Sequence, residues 1–234
     1  MPPTFKSMFP HVYAMTIAAV NVFLIEDGSH LTLIDTGRES SAQPILNAVR
    51  QLGRQPTDIT NIVLTHCHPD HAGGLAALKQ QTGAAAWMHR ADAEVVRGTT
   101  PMVRSKVAPG LRNQIVYRML IKNILPHVPP TTIEHEVCDG DVLPIAGGLQ
   151  AIHTPGHSAG HTAFLLRSDG GLLFAGDACS NIFGVGYSVV YDDLPEGRRS
   201  LAKLATLEPR AICFGHGGVL NGTGVRKFQR AWRD

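Results

Sequence analysis

The stretch "THCHPDHAGG" at residues 65–74 constrains this chain more than any other, because it sets His66, His68, Asp70 and His71 within six positions. Alternate side chains of an extended segment point the same way, so His66 and His68 can grip one ion. Asp70 and His71 follow Pro69, in what should be the first turn of a helix, and face a neighbouring ion instead. Imidazole and carboxylate donors favour zinc, and iron, manganese or nickel suit the same ligand chemistry. A turn that only hydrogen-bonds its histidines has no use for three imidazoles and a carboxylate at this density, so the stretch reads as a metal site.

Its surroundings place it on a loop. "NIVLT" before it reads as a short buried strand and "GLAALKQQ" after it as a helix, so the motif sits where a strand's carboxyl end meets a helix, the usual site position of an α/β fold. Upstream, residues 16–25 read as a strand leading into a turn. "NVFLI" and "LTLIDTG" form a hairpin closed at Asp27-Gly28. Residues 41–52 carry Ile45, Leu46, Val49 and Leu52 on a helical stripe that Gly53 ends, and "AAAWM" is a further strand. Downstream come strands in "GLQAIH", "TAFLLR" and "GLLFAGD", with a turn at Asp169-Gly170-Gly171. A helix over 195–207, a strand in "AICFGHG" and a short closing helix follow. Both halves run hairpin, strand, loop with histidine, helix, which suggests a duplicated αβ/βα arrangement.

Residues 1–234 are expected to form one domain, with a helical insertion at about 91–135. Within it "LRNQIVYRMLIKNIL" (111–125) predicts a helix that Pro126 ends, with apolar groups nearly all round the axis. Such a helix should be covered on more than one side: by the core, as a lid, or in a homodimer contact. A membrane-surface helix would need a clean polar face, which this one lacks.

The motif set resembles the metallo-β-lactamase superfamily, whose signature HxHxDH is matched by His66, His68, Asp70 and His71. "TPGHSAGH" is similar to the segment carrying the family's third ligand, here His157. "LLFAGDA" is similar to the one carrying its bridging aspartate, here Asp177, and "CFGHG" to the one carrying its last histidine, here His216. The resemblance, with "LIDTG" and "DITNIVLTH", covers about residues 20–220. It implies an α/β (α+β) four-layer αββα sandwich, two mixed sheets face to face with helices outside. It also implies two Zn²⁺ per chain, with Fe, Mn or Ni as alternatives: His66, His68 and His157 on one, Asp70, His71 and His216 on the other, and Asp177 between them. Two cations about 3.5–4 Å apart can share a water and lower its pKa from 15.7 to about 7. The bridging hydroxide could then attack a carbonyl ester, thioester or lactone of a small molecule with no serine or cysteine nucleophile. Asp70 and Asp177 are the catalytic aspartates in this reading, Asp70 orienting the nucleophile or handing a proton to the leaving group. A phosphodiesterase on the same fold and a non-catalytic metal-binding sensing module are the alternatives.

Within the superfamily, hydroxyacylglutathione hydrolases and acyl-homoserine lactonases are the nearest characterised groups. Lactonases carry a tyrosine three residues after the bridging aspartate, where this chain has Ser180; Tyr187 or Tyr191 would have to substitute. His153 and His161, four residues either side of His157, are expected to be supporting or structural. Asp35 either caps strand-end N–H groups or supports the metal histidines. Gly73 and Gly74 should allow close helix packing, Cys67 should point away from its histidine neighbours, and the part played by Cys179 is open.

A net charge of +2 with scattered cations excludes the basic footprint of a nucleic-acid binder. No apolar run approaches the roughly 20 residues of a membrane span, and residues 16–25 lack the charged start of a signal peptide. The four cysteines form no CxxC pair, so a reducing compartment, the cytoplasm, is expected.

Overall fold

The computed structural model describes residues 3–233, without the side chain of Asp169. Its first sheet has seven strands in chain order: Lys6–Phe9, Val12–Ile17, Val20–Asp27, His30–Ile34, Ile59–Val63, Ala85–His89 and His135–Val137. The first four pair antiparallel and the rest join in parallel. The second sheet has the order Leu220–Asn221, Ala211–Cys213, Leu172–Phe174, Thr162–Leu166, Leu149–His153 and Val142–Leu143, with one parallel pairing, Leu172–Phe174 on Ala211–Cys213.

The two-residue side-chain alternation of these strands builds the layers. In "VNVFLIED", Val22 and Leu24 face out of the sandwich, onto Ile45, Leu46 and Val49 of the helix Ala42–Gln51 and Leu75 and Leu78 of Leu75–Thr82. Phe23 and Ile25 face inward, onto Phe164, Leu166, Leu172 and Phe174 of the second sheet; the rings of Phe23 and Phe174 meet at 5.2 Å between centroids. Ala163, Leu165, Leu173 and Ile212 face the other way, onto Leu201 and Leu204 of Leu194–Ala205 and Val225 and Phe228 of Thr223–Trp232. Helices, sheet, sheet and helices make the four-layer αββα sandwich. Because both faces of each sheet are covered, its central strands read as unbroken apolar runs.

Three local expectations change. Residues 16–25 are not one strand: the chain reverses at Ala18 and Ala19, both with φ near +50 to +70°, between Val12–Ile17 and Val20–Asp27. The next hairpin turns one residue later than expected, at Gly28-Ser29, since Asp27 pairs with His30; Gly28, at φ +58°, takes the left-handed position. The stretch 111–125 is a short α-helix, Leu111–Val116, running into a π-helical turn, Tyr117–Ile121. The rest of this chain leaves its apolar groups uncovered: Leu111, Met119 and Leu125 are 73%, 76% and 78% exposed. Just before it, Lys106–Val107 forms an antiparallel two-stranded ladder with Val190–Tyr191. Among the described residues, no helix is long and apolar enough to cross a membrane.

Candidate metal centre

The seven candidate donors gather at one edge of the sandwich, five on loops and two, Asp70 and His71, in the short helix Pro69–Ala72. His66, His68, Asp70 and His71 follow Ile59–Val63, while Asp177 follows Leu172–Phe174 and His216 follows Ala211–Cys213. His157 follows Leu149–His153, which is two antiparallel steps from Leu172–Phe174 and so runs the same way. The edge is stitched by Thr162 N–H to Thr65 O (2.8 Å) and Gly215 N–H to Gly176 O (2.9 Å). Gly73 and Gly74 let the chain turn hard against residues 36–39. A Cβ on Gly74 would lie 2.5 Å from the Thr36 carbonyl oxygen, and one on Gly73 2.8 Å from the Glu39 nitrogen. Gly215 has no room either, because its Cβ would collide with Asp177 Oδ1.

Among the described residues, three groups have donor atoms within 4.8 Å of one another: His66, His68 and His157; His66, His71 and Asp177; and Asp70, His71 and His216. The structure thus brings together every residue singled out for the site. Each imidazole is aimed by its other nitrogen. His71 Nδ1 donates to Asp35 Oδ2 (2.8 Å), His157 Nδ1 to the Val190 carbonyl (2.8 Å) and His216 Nδ1 to the Ala19 carbonyl (2.8 Å). His66 Nδ1 donates to Thr65 Oγ1 (2.9 Å), whose own proton goes to Asp35 Oδ2 (2.9 Å). These four rings present Nε2 to the centre. His68 is turned over: its Nε2 lies 3.5 Å from Ser105 Oγ. With Nε2 engaged there, His68 is left with Nδ1 as its free metal-binding nitrogen.

Burial, reinforced by neighbouring imidazoles, holds His66 and His157 well below the ordinary histidine pKa, so both are neutral. Burial alone would also lower His71 and His216, but the charge of Asp177 outweighs it, with Asp35 assisting at His71 and Asp70 at His216, and both are raised. Burial alone would raise Asp70 and Asp177. The bond and charge of His216 and the charge of His71 pull Asp70 well below the carboxylate range, and the charges of His216 and His71 do the same to Asp177.

This donor set suits divalent cations. His66 Nε2 faces His157 Nε2 at 3.2 Å and His71 Nε2 faces His216 Nε2 at 3.4 Å. At the neutral His66–His157 pair, with both Nδ1 protons committed elsewhere, these are opposed lone pairs unless positive charge lies between them. Buried Asp177 Oδ1 has no hydrogen-bond partner, although it is 3.5 Å from His71 Nε2; an unpaired buried carboxylate oxygen is costly without a cation. Cys67 and Cys179 take no part: burial pushes both thiols up and neither is in a donor group.

Several supporting residues escape sequence reasoning. Asp92 accepts from Cys67 N–H (2.9 Å), Ser158 Oγ (2.7 Å) and Gly160 N–H (2.7 Å), tying the first histidine loop to the His157 loop. Asn21 donates to the carbonyls of Phe214 and Gly217 (2.9 and 2.8 Å) and so fixes the His216 loop to the hairpin tip that offers Ala19. Its one signal was a polar residue inside an apolar run. Asp35 does both things considered for it, capping Thr65 N–H (2.8 Å) and holding His71. His161 donates from Nδ1 to Thr154 Oγ1 (2.8 Å) and accepts the Asp177 N–H at Nε2 (3.0 Å), so it positions the aspartate's backbone. Burial takes its pKa down to about 3. His153 stacks on His89, away from the donors. The Tyr191 hydroxyl is spent on the Ala178 carbonyl (2.6 Å), and the Tyr187 ring packs on Trp232.

Residues 15–216 match the family model described as the Metallo-beta-lactamase superfamily. The chain is 31% identical over 209 residues to the beta-lactamase-like protein 2 homolog of Drosophila melanogaster (88% of this chain, 61% of the relative). It is 30% identical over 208 residues to the thioesterase pkgB of Emericella nidulans (88% and 48%). It thus spans only about half to three-fifths of these relatives. Among solved structures, a HARLDQ-motif mutant metallo-beta-lactamase from Cronobacter sakazakii superposes with a TM-score of 0.75 at 25% identity, covering 98% of this chain and 94% of that one.

Proposed function

The chain belongs to the metallo-β-lactamase superfamily of metal-dependent hydrolases, and on that premise we propose that it hydrolyses a carbonyl ester, thioester or lactone of a small molecule at a dinuclear zinc centre. The observation that carries this reading is the convergence of five imidazoles and two carboxylates, each imidazole fixed by its second nitrogen. His66 Nε2, His68 Nδ1 and His157 Nε2 would hold one cation, Asp70, His71 and His216 the other, and Asp177 both. When bound, two such cations bring the pKa of water down to about 7 and draw electron density from an acyl oxygen. The name of the pkgB relative supports an acyl, rather than phosphoryl, substrate.

The protein's own groups supply the rest. Asp70 and His216 are partly exposed where His71 and Asp177 are buried, so substrate approaches from their side. Asp70 stays ionised there. Its carboxylate can accept a proton from the attacking water and return it to the leaving oxygen or sulfur, which is general acid–base work at one atom pair. Loading has its own signature. His71 and His216 are raised above the usual histidine value by their carboxylates, so the metal-free site holds protons more tightly there than ordinary imidazoles do, and a cation must displace them. Zinc binding should therefore release protons and weaken as pH falls. Calorimetry in buffers of different ionisation enthalpy measures this, and a buffer-independent heat would contradict it.

A hydrolysis screen of the zinc-loaded protein over thioesters, aryl esters, lactones and a bis-phosphate ester tests the reaction class. The expected result is acyl turnover that a chelator abolishes and zinc restores. Cleavage of the phosphodiester alone, or turnover indifferent to chelator, contradicts the proposal.

A further inference from the structure

The two cation positions rest on different parts of the fold. His71 leans on Asp35, at the end of a central strand, and His216 on Ala19, at the tip of a hairpin in the same sheet. On the other side only His66 has such support, through Thr65 to Asp35. His68 and His157 are held from elsewhere. The carbonyl that holds His157 belongs to Val190, and Val190–Tyr191 is half of the ladder whose other half is Lys106–Val107. One residue before that half is Ser105, 3.5 Å from His68 Nε2, and one residue after the other half is Asp192. The ladder is extended by Ala108 N–H to the Val189 carbonyl (2.9 Å), and it is tied to the His157 loop by Asp192 N–H to the His157 carbonyl (3.3 Å) and Asp193 N–H to the Gly156 carbonyl (2.9 Å).

We propose that this ladder is a latch on one cation position: Ser105 is a positioning residue that holds the His68 ring with Nδ1 inward, while Val190 does the same for Nε2 of His157. The inference rests on the ligand assignment proposed above and adds an asymmetry to it. Two of the three imidazoles of the His66, His68 and His157 position depend on a segment at 105–108 that lies outside both main sheets. The Asp70, His71 and His216 position does not. Without the Ser105 hydroxyl, His68 Nε2 loses the partner it has among the described residues, the ring is free to flip or rotate about its χ2, and its metal-binding nitrogen is no longer preorganised. Losing a partner of this kind typically weakens metal binding about 10- to 100-fold.

The test is metal affinity counted by equivalent, using zinc against a chromogenic chelator on the full chain. Ser105→Ala should weaken one of two equivalents about 10- to 100-fold and leave the other within about twofold. Ser105→Thr, which keeps the hydroxyl, should restore wild-type binding. Cobalt-substituted protein gives a second readout: the visible absorption of one ion should change in Ser105→Ala and recover in Ser105→Thr. Thermal unfolding of the metal-free variants checks that the fold is unaltered. Wild-type affinity for both equivalents in Ser105→Ala, or equal weakening of both, overturns the latch while leaving the dinuclear centre standing. A wild-type chain that binds no zinc overturns both readings.

Discussion

Asp177→Ala is expected to lower acyl hydrolysis by more than about 100-fold, beyond the range seen when only a supporting partner is lost, and to release part of the bound metal. The reason is position. Asp177 lies 3.3 Å from His216 Nε2, 3.5 Å from His71 Nε2 and 3.7 Å from His157 Nε2, so its two oxygens face both histidine groups. Among the described residues, Asp70 belongs only to the group with His71 and His216, 3.5 Å from His216 Nε2. Removing Asp177 also leaves His71 and His216, whose protonated forms it favours, without their main counter-charge. Measured turnover and zinc content on the same sample decide the matter. Unchanged turnover would remove Asp177 from the mechanism.

The second large effect is expected at Asp35, which never meets the substrate. It is buried and serves Thr65 N–H, the Thr65 hydroxyl and His71 Nδ1 at once, and through Thr65 it also orients His66. Asp35→Ala strands these donors in the interior and should cost about 3–5 kcal/mol, the usual loss when one member of a buried charged pair is removed. In a chain of this size that is roughly 6–20 °C in Tm. Asp35→Asn separates folding from function. Asparagine tolerates the φ of +60° found here, but its amide NH₂ must face a donor that the carboxylate accepted. Stability should fall less than in the alanine variant, while zinc affinity falls about 10- to 100-fold. Thermal melts of the metal-free variants, with zinc titrations beside them, measure both; full affinity in Asp35→Asn would show that His71 is aimed by something else.

How much of this was legible beforehand follows from what each residue contributes. His66, His68, Asp70, His71, His157, Asp177 and His216 carry donor atoms on side chains, in short motifs, so their types and spacing could be read. Ala19 and Val190 aim histidines through backbone carbonyls, which every residue has. Ser105 lies 37 positions beyond His68 and is placed by a two-residue ladder too short to leave a periodic signal. In the fold, the unbroken apolar runs announced strands buried on both faces. Lys6–Phe9 and Val12–Ile17 did not announce themselves, because they form the sheet's partly exposed edge. The 111–125 stretch misled in the opposite sense. Apolar residues all round an axis imply burial, yet Leu111, Met119 and Leu125 meet little of this chain.

The central claim is that these seven residues hold two divalent cations that act together in hydrolysis. The most direct measurement titrates zinc into the metal-free protein and records bound zinc per chain and the hydrolysis rate in the same samples. Binding should saturate at two zinc ions per chain, with the rate reaching its plateau only as the second is filled. A chain that binds none, or one that turns over substrate as fast without zinc as with it, would rule out a dinuclear hydrolytic centre.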